Sequence, residues 1–136
     1  MVDKFFEKNG DYFYFVFRVL VGLLFIQHGM QKLFGSFGGV GPDGGSVPLI
    51  GLFGLAGIIE FFGGLFLILG LFTRLAALFG IFDMIGAYYK AHWPQGYIPL
   101  LNQGELAALY FACFLVILAL GARKWGIDNS LSKKKK

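Results

Sequence analysis

The chain has 136 residues, room for one domain. Apolar residues make up 57%, aromatics 18% and charged residues only 15%, against roughly a quarter charged in water-soluble domains, which excludes an ordinary soluble fold. The net charge of +4 draws on Lys133 to Lys136 at the extreme C-terminus, a solvated basic tail that argues against nucleic acid as a partner.

Residues 1–11 alternate charge with Phe (Asp3, Lys4, Phe5, Phe6, Glu7, Lys8), which predicts a short amphipathic segment lying along the membrane surface. The apolar run 12–34 follows, long enough to span about 30 Å of hydrocarbon. Arg18 interrupts it and no A-x-A site follows, so it reads as a retained helix and not as a signal peptide. Residues 35–48 hold six Gly and two Pro and form a loop. The second predicted span, 49–72, is broken only by Glu60. Thr73 and Arg74 make a tight turn into the third, 74–93, whose far end carries Lys90 and Trp93, both suited to the interface. Pro94 and Pro99 lie in a second long loop. The last span covers 104–121, with Trp125 at its exit.

These elements predict an all-α integral membrane four-helix bundle, one domain over 1–136, multi-pass in the cell membrane. With four crossings the two termini and the turn at Thr73 share a side. Lys4, Lys8, Arg74, Arg123, Lys124 and the terminal lysines lie there, against Lys32 and Lys90 on the other. Both termini are therefore expected in the cytoplasm. The lipid bilayer is the first expected partner, and a homo-oligomer is compatible with the pattern.

Cys113 is alone, which excludes an internal disulfide or dithiol pair; within an apolar helix it reads as packing. No G-x-x-x-x-G-K-[ST] loop, G-x-S-x-G elbow, H-E-x-x-H or C-x-x-C occurs. His28 has no second ligand at matching depth and His92 no Cys or Glu at ligand spacing, so neither a metal nor a haem site is expected.

Ionisable side chains within the bilayer are costly and mark either an internal pair or a functional site. Arg18, His28, Glu60 and Asp83 interrupt the apolar segments, and Lys32 and Glu105 stand near segment ends. At 100° per residue Arg18, Gly22, Phe25, His28, Gly29 and Lys32 share one side of the first helix. Glu60 is flanked by Gly57 and Gly64, Asp83 shares its face with Ala76, Gly80, Gly86 and Ala87, and Glu105 heads a stripe of Ala108, Ala112 and Ala119. Small residues belong at helix contacts, so these faces are expected to turn inward. Arg18, Glu60 and Asp83 are the candidate buried charge network, with the Arg18 arm reaching one of the acids. Two readings of it stand: a lock that fixes helix register, or a site where one cation faces two acids and one carboxyl exchanges a proton. At the other end His28, Gln31, Lys32, His92, Trp93 and Glu105 form a candidate polar, aromatic-lined mouth. It suits a quinone headgroup or a partner subunit, or is simply a wet interface.

The run from Arg18 through Gly22 and Phe25 to His28-Gly29 and Lys32-Leu33-Phe34-Gly35 resembles the opening of the DoxX family. Glu60-x-x-Gly63-Gly64-x-x-Leu67-x-x-Gly70-Leu71-x-Thr73-Arg74-x-Ala76-Ala77 resembles its middle, and Glu105, an apolar span, then Gly121, Gly126 and Asp128 its close. The likeness covers nearly the whole chain in order. It implies a small four-helix membrane protein associated with redox systems, notably thiosulfate:quinone oxidoreductases and membrane oxidoreductase complexes. On that resemblance Arg18, Glu60, Arg74 and Glu105 match characteristic positions, whereas Asp83 follows from burial alone.

The expected function is thus a subunit or accessory of a quinone-linked membrane oxidoreductase, with other membrane or redox subunits as partners. Any enzymatic role is expected to need one of them. The alternatives are a structural or assembly subunit without chemistry of its own, and a small proton or solute transporter. Four short helices leave little room for a pore, and inverted halves are not evident.

Overall fold

The structure is a computed structural model and describes residues 1–133. Among these residues it is all-helical: α1 (Val2–Phe34), α2 (Leu52–Leu69), α3 (Thr73–Ala87), α4 (Glu105–Leu120) and α5 (Ile127–Lys133). A π turn, Tyr88–His92, and a 3-10 turn, Trp93–Gln95, continue α3.

Each boundary has a local cause. Gly35 adopts φ 68° and closes α1 with its N–H on the Met30 carbonyl. Gly70, at φ 63°, does the same for α2, the left-handed close that a side chain resists. α2 therefore runs over Leu52–Leu69, shorter at both ends than the expected 49–72. The N-terminal segment departs from expectation. Residues 2–11 do not form a separate surface stretch but the first turns of a 33-residue α1, because nothing there stops a helix. Asp11 anchors this end through an ion pair to Arg123 at 3.0 Å. α5 was not expected either, since its region reads as a basic tail; Lys134 to Lys136 of that tail lie outside the described residues.

α1 packs most extensively on α2, α3 on α4, and α2 on α3. The α1–α2 contact is backbone against backbone. A Cβ at Gly22 would stand 2.8 Å from the Gly64 carbonyl oxygen, and one at Gly29 would run into the Phe61 backbone. Such close approach is how helices associate where lipid removes the hydrophobic drive. Between α3 and α4 the fit is ring into gap: a Cβ at Gly80 would stand 2.7 Å from the Phe114 ring. Phe25, Leu67, Phe114 and Ile117 are fully enclosed, with the Phe25 and Phe114 rings edge to face at 4.8 Å.

This packing reverses the expected face of α4. Ala107, Tyr110, Phe114 and Ile117 point inward, while Glu105, Ala108, Ala112 and Ala119 are exposed. With glycine already supplied by α3, α4 provides the bulk that fills the interior. Gly86 of α3 is likewise exposed, whereas Ala76, Gly80 and Asp83 are buried as expected. The exterior carries Leu20, Leu24, Phe62, Phe79, Phe82 and Leu109 at 48 to 61% exposure or close to it, while Arg18, Glu60, Thr73, Asp83 and Asn102 are enclosed. An apolar outside around a polar inside suits a chain whose solvent is lipid.

Candidate functional site

Lys32 lies in the last turn of α1 and Glu60 in the middle of α2. The Lys32 Nζ donates to both Glu60 carboxylate oxygens at 2.7 Å, and the two side chains are only 14% and 6% exposed. Gly57, one turn before Glu60, makes this reach possible. A Cβ there would stand 3.0 Å from the Lys32 Cβ, so the missing side chain is the channel for the lysine stem. The Lys32 carbonyl accepts the Val47 N–H at 2.8 Å, tying the glycine-rich loop over the pair.

Asp83 of α3 completes an unequal set. It is 9% exposed, and its Oδ2 has no hydrogen-bond partner among the described residues. Tyr110 of α4 is also buried. It meets the His28 ring edge to face at 5.8 Å and the Phe25 ring at 5.5 Å. Each of the first four helices thus turns a polar side chain inward: Lys32, Glu60, Asp83 and Tyr110.

Arg18 is not part of this set. Its guanidinium is fully buried and donates to the Ala122 carbonyl at 2.7 Å and the Trp125 carbonyl at 2.6 Å. The expected pairing with Glu60 or Asp83 is replaced for a physical reason: carbonyls just past the end of α4 have no helical donors and attract a cation. Gly70 and Gly126 leave the room, since a Cβ at either would press on the Arg18 Nη1. Tyr14 donates to the Gly121 carbonyl and Arg74 to that of Ala119 at 3.1 Å. Asp128 accepts the Phe72 and Thr73 N–H groups at 2.7 and 2.9 Å. Together these form a clasp that binds the α4–α5 corner to α1 and α3.

The expected outer mouth is dispersed. Lys32 turns inward to Glu60, and His28 is half-buried against Tyr110. Glu105 is exposed at the start of α4 and Gln31 half-buried in α1. The His92 Nδ1 lies 2.9 Å from the Asn102 carbonyl oxygen. Asn102, fully buried, bonds Tyr88 Oη and the Gly96 carbonyl and accepts from the Gly104 N–H, so it holds the outer loop together. Of the expected mouth residues, Trp93 borders a crevice. That crevice, about 380 Å³, is wholly apolar and lies between α3 and α4, with Met84, Tyr88, Tyr89, Trp93, Ala107 and Phe111 among its walls.

Tyr14 and Tyr110 escaped the sequence reading. A tyrosine in an apolar run carries no signal beyond its hydroxyl, and their positions at i+4 before Arg18 and i+5 after Glu105 gain meaning only from the partners the fold supplies.

The family model of DoxX matches residues 13–93, which include Arg18, Lys32, Glu60 and Asp83. A Haemophilus influenzae protein, named as uncharacterized, is 38% identical over 135 residues, covering 94% of this chain and 97% of its own length. An uncharacterized membrane protein of Mycobacterium tuberculosis is 30% identical over 135 residues, covering 86% of this chain and 80% of that protein. No solved structure matches.

Proposed function

This chain belongs to the DoxX family of membrane proteins, and from that premise we propose that it is a multi-pass component of a quinone-linked membrane oxidoreductase whose buried Lys32, Glu60 and Asp83 cluster exchanges a proton. In this reading α1 to α4 cross the cell membrane as one bundle. α1 and α2 are long and apolar enough to do so. α3 reaches about 30 Å in all when continued through its π turn to His92, and α4, at 16 residues, covers about 24 Å. Both termini are cytoplasmic, where the clasp gathers Arg74, Arg123 and Lys124.

The observation that carries the proposal is the excess acid. One ammonium neutralises one carboxylate, and Asp83 keeps an oxygen without a partner among the described residues. A buried carboxyl with no counter-charge of its own is suited to taking and giving a proton. Quinone reduction consumes protons, which is the chemistry a bound quinone would bring. The aromatic crevice between α3 and α4 offers an apolar ring a place beside Met84, the neighbour of Asp83. Lys32 holds Glu60 in place, and Tyr110 and His28 close the cluster on the α4 side.

Purification from native membrane in mild detergent, with mass spectrometry of bound lipid, cofactor and protein, tests the reading. Co-purified quinone or an oxidoreductase subunit supports it; a lone, quinone-free protein contradicts it. The structural or assembly reading is favoured by one specific observation. Arg18, the cation fixed in charge, donates its hydrogen bonds to carbonyls and to no acid, and acts as a fastener. Under that reading Glu60→Gln lowers folding and function together, whereas a folded, abundant but inactive Glu60→Gln protein supports proton exchange.

A further inference from the structure

At the clasp end a crevice of about 390 Å³ opens between Phe72 and the first turn of α3, the turn at Leu120 to Arg123, and Asp128, Asn129 and Ser132 of α5. Two arginines border it. Arg74 spends one donor on the Ala119 carbonyl, and its guanidinium lies across Gly121, where a Cβ would stand 3.0 Å from its Nε. Arg123 is held by the Asp11 carboxylate through its Nε at 3.0 Å and by the Tyr14 ring, 5.8 Å from its guanidinium carbon. Both forks keep donors to spare. The one acid at the rim, Asp128, has each carboxylate oxygen committed to an N–H of the α3 entry. The lining therefore carries two guanidinium charges against the one carboxylate of Asp128, with Asp11 pairing Arg123 from outside it, and the spare N–H donors on the crevice side belong to the arginines.

In the orientation proposed above, the crevice lies at headgroup depth. Trp125 packs on Tyr12 at 4.5 Å, an aromatic pair of the kind found where hydrocarbon meets water. Leu75 and Leu120 form the crevice's apolar edge, and exposed Phe79 on α3 and Val116 on α4 continue each row along the bundle. A charged pocket that opens onto two apolar rows has the shape of a diacyl lipid: head in the pocket, chains along the helices.

We infer that this crevice binds the phosphoryl headgroup of an anionic phospholipid from the cytoplasmic leaflet, held by Arg74 and Arg123. The inference rests on the orientation given above and is independent of any redox role. Two guanidinium groups suit a phosphate because each offers paired, fixed donors, and basic pockets at the cytoplasmic ends of helices recognise such headgroups.

The test is native mass spectrometry of the detergent-purified full chain, titrated with phosphatidylglycerol, phosphatidylcholine or inorganic phosphate. About fivefold per arginine gives an expected preference on the order of 30-fold for phosphatidylglycerol over phosphatidylcholine. Arg74→Gln with Arg123→Gln removes the preference while circular dichroism shows the helices intact. Lys4→Gln with Lys8→Gln, basic residues away from the crevice, retains it. Equal binding of the two lipids, equal loss in the Lys4 and Lys8 variant, or full competition by inorganic phosphate at lipid concentrations overturns the inference. If the crevice variant fails to fold, single Arg74→Lys and Arg123→Lys variants replace it: a weakened preference supports the paired guanidinium donors and an unchanged one overturns them. Excess glycerol phosphate, which lacks acyl chains, is expected to leave the preference unchanged, and abolishing it overturns the diacyl fit. Because no redox partner is present, a negative result leaves the quinone-linked reading standing, and failure of that reading leaves this one standing.

Discussion

Lys32 and Glu60 form a two-pronged ion pair, 2.7 Å to each carboxylate oxygen, between the end of α1 and the middle of α2. Breaking a mostly buried pair by removing one partner leaves the other charge stranded, at a cost of roughly 3–5 kcal/mol. Lys32→Met is therefore expected to lower the thermal midpoint in detergent sharply. Lys32→Met combined with Glu60→Leu is expected to regain most of the loss, because no lone charge remains. Thermal unfolding of the three proteins checks this, and the double variant falling below the single one would show that the pair is not the unit described.

The clasp predicts a different pattern. Arg18→Met leaves the Ala122 and Trp125 carbonyls without their donor, at about 1–3 kcal/mol for each group left dry. In a Trp93→Phe background Trp125 is the remaining indole, so loosening of this corner is expected as a red shift of its emission and faster proteolysis beyond Gly121. An unchanged spectrum would mean the carbonyls find other partners.

Asp128 fills the N-terminus of α3 from across the chain, since Phe72, which precedes the helix, has no side-chain oxygen to offer. Asp128→Ala is expected to cost about 1–2 kcal/mol and Asp128→Asn less, because an amide keeps one acceptor. Denaturant or thermal unfolding in detergent ranks them.

Two glycines give opposite outcomes. Gly29→Ala drives a methyl into the Phe61 backbone and is expected to cost about 1–3 kcal/mol or more through separation of α1 and α2. At Gly86 a Cβ would meet nothing within 4 Å, so Gly86→Ala is expected to stabilise α3 by up to about 1 kcal/mol. Hydrogen exchange on α1 and α3 reads both.

How much of this is legible in the sequence follows from what each feature depends on. The apolar runs around Phe25, Leu67 and Phe114 declare helices because hydropathy is local. Glu60 and Asp83 declare themselves because a carboxyl in such a run needs a reason. Which cation meets them depends on the register between α1 and α2, and that register is set by Gly22, Gly29, Gly57 and Gly64 acting together. The partners of Arg18 are backbone carbonyls more than 100 residues away, and a carbonyl has no signature in sequence. The outward stripe of α4 misled because Ala108 and Ala112 mark close approach only if the facing helix is bulky, and Gly80 is not. Ile127 and Leu131, one turn apart, were the faint sign of α5.

The measurement that bears most directly on the proton-exchanging cluster is infrared difference spectroscopy of the purified protein across a pH change. The account predicts a protonated-carboxyl band that titrates in the native chain, disappears in Asp83→Asn, and moves when Glu60→Gln or Lys32→Met alters its neighbours. Identical difference spectra for the native chain and a folded Asp83→Asn protein would contradict it.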